Sequence, residues 1–228
     1  MRVPDPSWLA AALLATLGAT ACAGGSRTGV ATAPPPAVGS VAELETIAKA
    51  RRDSARLRYT EADVRFMTGM IGHHAQALVM AGLAPTHGAS ASVQTLAARI
   101  INAQQDEIAT MQHWLGDRRE PVPEVRIQGT AVMVQGAEHA PHMPGMLSDE
   151  QMRQLDEARG PAFDRLFLTF MIQHHRGAVV MVYGLFATDG AAQDAAVFKL
   201  ASDIQVDQIT EIDRMERMLA ALAEGRAP

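Results

Sequence analysis

A single cysteine, Cys22, in 228 residues excludes an intramolecular disulfide. Aromatic residues make up only 4% of the chain, so its core is not built mainly on rigid rings. Positive charge is not in excess either. The net charge is −5, which removes the basic footprint of a nucleic-acid-binding protein. No nucleophile motif, phosphate-binding loop or pair of catalytic acids stands out, so ligand binding is expected and not turnover of a substrate. Methionine, by contrast, is abundant, with 13 residues. Its flexible thioether fills irregular gaps in a core, and it is also a soft ligand of the kind Cu(I) favours. With 48% hydrophobic and 20% charged residues, the chain has the composition of a globular protein with one good-sized domain or two small ones.

The first forty residues read as address and tether. "WLAAALLATLGATACAGG" is an apolar run too short to span a bilayer comfortably, and it ends in small residues as a secretory signal does. Its "GATAC" resembles a bacterial lipobox, in which the cysteine is diacylated and becomes the new N-terminus. Ala19 stands where leucine is more usual, and plain signal cleavage is the alternative. The expectation is a signal over residues 1–22 with Cys22 lipidated, followed by a flexible linker over 23–40, "AGGSRTGVATAPPPAVGS". The folded domain then occupies 41–228. Such a protein is exported to the periplasm or outer envelope and held at the membrane by its lipid.

The body of the chain repeats itself. "FMTGMIGHHAQALVMA" from Phe66 and "FLTFMIQHHRGAVVMV" from Phe167 align at an offset of 101. That offset maps Asp63 to Asp164, Met70 to Met171, His73 to His174, His74 to His175 and Met80 to Met181. A second pair of segments, from Leu96 and Leu200, aligns at an offset of 104 and maps Gln104 to Gln208, Glu107 to Glu211 and Met111 to Met215. Spacings of 4, 3, 4, 3 make the two histidine segments helical, and the stripe of Ile100, Gln104, Met111 and Leu115 makes the second pair helical too. The chain is therefore a duplicated helical hairpin, with halves over about 62–115 and 163–219, and its apolar faces close into an all-α four-helix bundle. The proline-broken stretch 116–148 is the crossover, ending in a helix from about Asp149 to Ala158. A leading helix over about Val41 to Arg58 packs outside.

The repeated polar residues are the candidate site. His73 and His174 sit on the inner stripes, and His74 and His175 are rotated by about 100° from them. A buried histidine is ordinarily a hydrogen-bonded core residue. The recurrence of the pair at equivalent places in both halves favours a metal site near the bundle axis. Imidazole with thioether suits Cu(I), and imidazole alone suits Cu(II) or zinc. Met70, Met80, Met171 and Met181 are the candidate thioether ligands, although a methionine stripe is more often core. Gln104 with Glu107, and Gln208 with Glu211, form i, i+3 pairs at the stripe edge. There the glutamates could accept the spare ring N–H and fix the tautomer, bind metal directly, or be solvated. In the crossover, "EHAPHMPGM" adds His139, His142, Met143 and Met146 as an accessory copper site or as incidental loop residues. His87 and His113 carry no assigned role.

These motifs, with "QQDEIATMQHWL", "MPGMLSDEQMRQL" and "ITEIDRMERML", resemble the bacterial domain of unknown function 305 family over roughly Arg58 to Leu219. The resemblance implies an exported protein with a ferritin-like helical bundle. It further implies copper as ligand, because members of the CopM type bind it, with His73, His74, His174, His175 and nearby methionines as ligands. Leu168 stands where the first half has Met67, and Arg176 follows the second histidine pair, so the halves are not strictly symmetric. The function expected is sequestration or buffering of copper. The rivals are a ferritin-like metal-dependent redox enzyme, with iron at Glu107 and Glu211, and a metal-free interaction module of the envelope.

Overall fold

The computed structural model describes residues 40–56, 58–135 and 143–226. The signal, the lipidation site Cys22 and the linker lie outside them, as do His139 and His142. Helices begin where the sequence supplies acceptors for their free amides. Thr60 and Asp63 form a reciprocal capping box at the start of α2 (Glu61–Gly82), and Ser90 caps α3 (Ala91–Asp117). Ser148 and Gln151 form a second box at α4 (Asp149–Glu157), and Asp194 caps α6 (Ala195–Ala223). α5 (Gly160–Phe186) has no side-chain cap and opens on Pro161, whose missing N–H has no helical partner to lose there. α1 (Val41–Arg56) precedes the repeat and exposes Val41, Leu44 and Ile47.

Among the described residues the regular structure is helical apart from one small sheet. α2 packs on α3 and α5 on α6, and the two hairpins meet through α2 and α5. The crossover is less irregular than expected. β1 (Glu124–Gln128) and β2 (Ala131–Gln135) pair antiparallel around Gly129, which has φ +62°. The alternation of Val125 and Ile127, then of Val132 and Val134, is the strand signal. Each strand is five residues long, and prolines precede them, which hides that signal in the sequence.

Two buried aspartates at equivalent repeat positions tie the hairpins together. Asp63 on α2 accepts the Ala192 amide in the turn before α6 at 2.7 Å. Asp164 on α5 accepts the Ser90 amide in the turn before α3 at 3.1 and 3.2 Å. Each half therefore caps the turn of the other. His87, in the turn before α3, is buried and donates through Nε2 to the Asp156 carbonyl of α4 at 2.9 Å, a structural bond.

The apolar core is divided in two. One cluster gathers Ala77, Met80, Leu96, Ile100, Phe163, Phe167 and Met215, with Leu155 of α4. The other gathers Phe66, Met70, Met111, Leu115, Val182, Leu200 and Ile204. Along each of the four long helices the two clusters are separated by the same layer: His73 and His74, Gln104, His174 and His175, and Gln208, all buried. A polar belt thus crosses the middle of the bundle.

Candidate metal centre

The belt is built around a pair of imidazoles. His73 and His174 lie face to face with ring centroids 3.9 Å apart and planes tilted by 41°. His74 and His175 point to the outer helices, 6.5 and 6.3 Å from their sequence neighbours. The 100° step between adjacent helical residues makes this division, one ring for the axis and one for the flank.

All four rings are held in the same way. His73 donates through Nε2 to the Pro144 carbonyl at 2.9 Å, and His174 to the His73 carbonyl at 3.0 Å. His74 donates through Nε2 to Glu107 at 2.8 Å, and His175 to Glu211 at 2.6 Å. Every partner is an acceptor, so Nε2 carries the proton in each ring. Nδ1 is then left with its lone pair, and none of the four Nδ1 atoms has a hydrogen-bond partner. Burial, followed by the neighbouring His74, pushes the His73 pKa down to about 3. Burial, followed by His73, lowers that of His174 well below the ordinary 6.5. These two rings are neutral at physiological pH, the form that binds metal.

The glutamine amides join the layer without satisfying it. Gln104 is 1% exposed, and neither its Oε1 nor its Nε2 is bonded; Gln208 is 2% exposed with its Oε1 unbonded. An unmet buried polar group costs roughly 1–3 kcal/mol. Such a concentration of unmet groups in one layer is costly to folding stability.

The methionines divide. Met70, Met80 and Met171 are fully buried in the apolar clusters, above and below the belt. Met181 is half-buried and converges with Met143 of the crossover. A Cβ placed on Gly69 would meet Met181 Cε at 3.4 Å and Met143 Sδ at 3.5 Å. A shallow surface groove of about 210 Å³ between α2 and α5 is lined by Phe66, Met181 and Leu185. Met146 is half-buried in the same crossover segment. Among the described residues no three His, Asp or Glu side chains converge as a ready-made metal cluster. The donors on hand are imidazole lone pairs and thioethers, a soft to borderline set. The sequence did not point to the Pro144 carbonyl, or to Gly69 as the floor beneath two thioethers. A glycine inside an apolar helix was the available sign of close approach.

The model of the domain of unknown function (DUF305) matches residues 63–219, more than half of the chain. The chain belongs to this family. Among solved structures it is similar to a DUF305 fragment from Deinococcus radiodurans, at 32% identity over 71% of this chain and 97% of that one, with a TM-score of 0.58. It is similar as well to a putative secreted DUF305 protein from Streptomyces coelicolor, at 26% identity over 73% and 94%, with a TM-score of 0.59. CopM in its Cu(II)-bound form matches at 28% identity over 70% and 97%, with a TM-score of 0.54. No curated protein sequence matches significantly.

Proposed function

We propose that this DUF305 protein binds copper outside the cytoplasm and sequesters or buffers it without turning over a substrate. The observation that carries the reading is the common state of the four buried imidazoles, each held through Nε2 with Nδ1 bare. Histidines that ligate metal are held in this manner, with the far nitrogen donating to a carboxylate or carbonyl that fixes the ring and raises its basicity. His73, His74, His174 and His175 are the imidazole ligands. Met181 and Met143, which meet over Gly69, supply thioethers, and Met70, Met80 and Met171 flank the belt in the two apolar clusters. Glu107 and Glu211 act through the rings they hold, and Gln104 and Gln208 complete the polar layer.

The CopM structures support copper in particular, because that protein has been solved with Cu(I), Cu(II) and silver bound. The putative secreted relative supports export, as does the signal-like N-terminus with Cys22. Among the described residues no helix is long and apolar enough to cross a membrane, and attachment is assigned to the lipid on Cys22. His139 and His142, with Met146, are assigned an accessory capture role.

Metal analysis of protein purified without a histidine tag tests the reading. Copper is expected. Iron would favour a carboxylate redox centre, and no metal after reconstitution would favour a purely structural belt. Replacing His73 and His174 together by alanine is expected to abolish copper binding while circular dichroism stays near wild type. Copper retained by that variant would move the site to the crossover.

A further inference from the structure

Residues 143–147, Met-Pro-Gly-Met-Leu, lie as a strap across α2 and α5 directly over the imidazole pair. Two helix residues hold the strap, and they occupy the same place in the repeat. Gln76 and Gly177 are related by the offset of 101 that relates the histidines. Gln76 is 6% exposed and grips Leu147 at two points. Its Nε2 donates to the Leu147 carbonyl at 3.1 Å, and its Oε1 accepts the Leu147 amide at 2.8 Å. Gly177 makes room for the strap. A Cβ there would overlap the Pro144 carbonyl and come within 2.6 Å of Gly145 Cα. Gly145 is confined in turn, with φ +77° and with a Cβ position only 2.6 Å from the Gln173 carbonyl. Gln173 donates to the Gly145 carbonyl at 3.3 Å and is itself held by Gln151 of α4 at 2.9 Å.

We infer that Gln76 and Gly177 are positioning residues that diverged after duplication to seat the 143–147 strap over the histidine pair, and that the seated strap sets the rate at which metal leaves. The inference rests on the copper reading for its second half only. Seating fixes the Pro144 carbonyl against His73 Nε2, which holds that ring's proton away from Nδ1. It also delivers the Met143 thioether to the Gly69 floor beside Met181. Only one strap serves both rings, because His174 donates to the His73 backbone instead.

The test uses the full mature chain with three variants, Gly177→Ala, Gln76→Ala and, as control, Gly184→Ala. Gly184 is on the same helix and has nothing within 4 Å of its Cβ position. In the metal-free protein, exchange of the Leu147 amide is expected to rise about tenfold in the first two variants and to stay unchanged in the control. Transfer of Cu(I) to an excess of a chromophoric chelator is expected to quicken about tenfold in the same two. Should Gly177→Ala fail to fold, Gln76→Ala and Gln173→Ala carry both measurements. Wild-type protection of Leu147 in the seat variants would overturn the seat, whatever copper does. A loosened strap with unchanged transfer would overturn its role in metal release, and so would a wild-type chain that takes up no Cu(I).

Discussion

The two halves of the molecule began as one hairpin and have diverged on their outer and crossover-facing surfaces while keeping their inner layer. Inside, the equivalence holds for the flanking rings and for the caps. His74 meets Glu107 as His175 meets Glu211, and Asp63 caps the far turn as Asp164 caps the near one. Outside, the second hairpin exposes Val180, Tyr183, Phe198, Val206 and Ile209. The first hairpin carries Val79, Gly82, Gln94, Asn102 and Gln105 at those places, polar or small except for a half-buried Val79. At the crossover, Gln76 and Gly177 have parted completely. Residues that meet each other across the pseudo-twofold axis are constrained together, because a change in one half leaves a buried partner in the other unmet. Residues that face solvent or the single crossover answer to no such partner.

The comparison can be broken at several depths. Acid is expected to have the largest effect. His73 has a folded pKa of about 3 against an ordinary 6.5, and His174 is lowered likewise. Between those values the unfolded chain binds protons that the folded chain refuses, so stability is whole above pH 6.5 and drains as pH falls toward 3. The slope is about 1.4 kcal/mol per pH unit for each ring. Denaturation of metal-free protein across this range, with His73→Gln as comparison, reads it; a flat profile would contradict the neutral buried pair.

Next come the reciprocal caps. Asp63→Ala is expected to cost about 3 kcal/mol and Asp164→Ala about 2 kcal/mol, since each strands a buried amide and Asp63 loses its capping box as well. Urea unfolding checks the order. Smaller still, Glu107→Gln and Glu211→Gln are each expected to weaken copper binding about tenfold by loosening one ring. Equal losses in chelator competition would show that both halves feed one site, whereas a loss in one alone would confine the metal to that half. The smallest effect is expected at Val206→Asn, which copies Asn102 of the first half. It should change stability by less than about 0.5 kcal/mol, because the side chain is exposed.

Much of this arrangement was legible in the residues. The 101-residue offset and the 4-3-4-3 spacing predict two hairpins and place the histidines on facing helices, and Thr60 with Asp63 and Ser148 with Gln151 mark the helix starts. The two-stranded sheet was not legible, because five-residue strands carry too few alternations to outweigh the prolines before them. Nor was the strap. Gly177 reads as a weak helix residue until the Pro144 carbonyl is seen against it.

By itself the sequence determined what kinds of donor the core contains and that they come in pairs, since composition and period are local properties of the chain. Only the tertiary structure decided which nitrogen of each ring is free. That choice depends on acceptors as far as 101 positions away, whose approach no local pattern encodes.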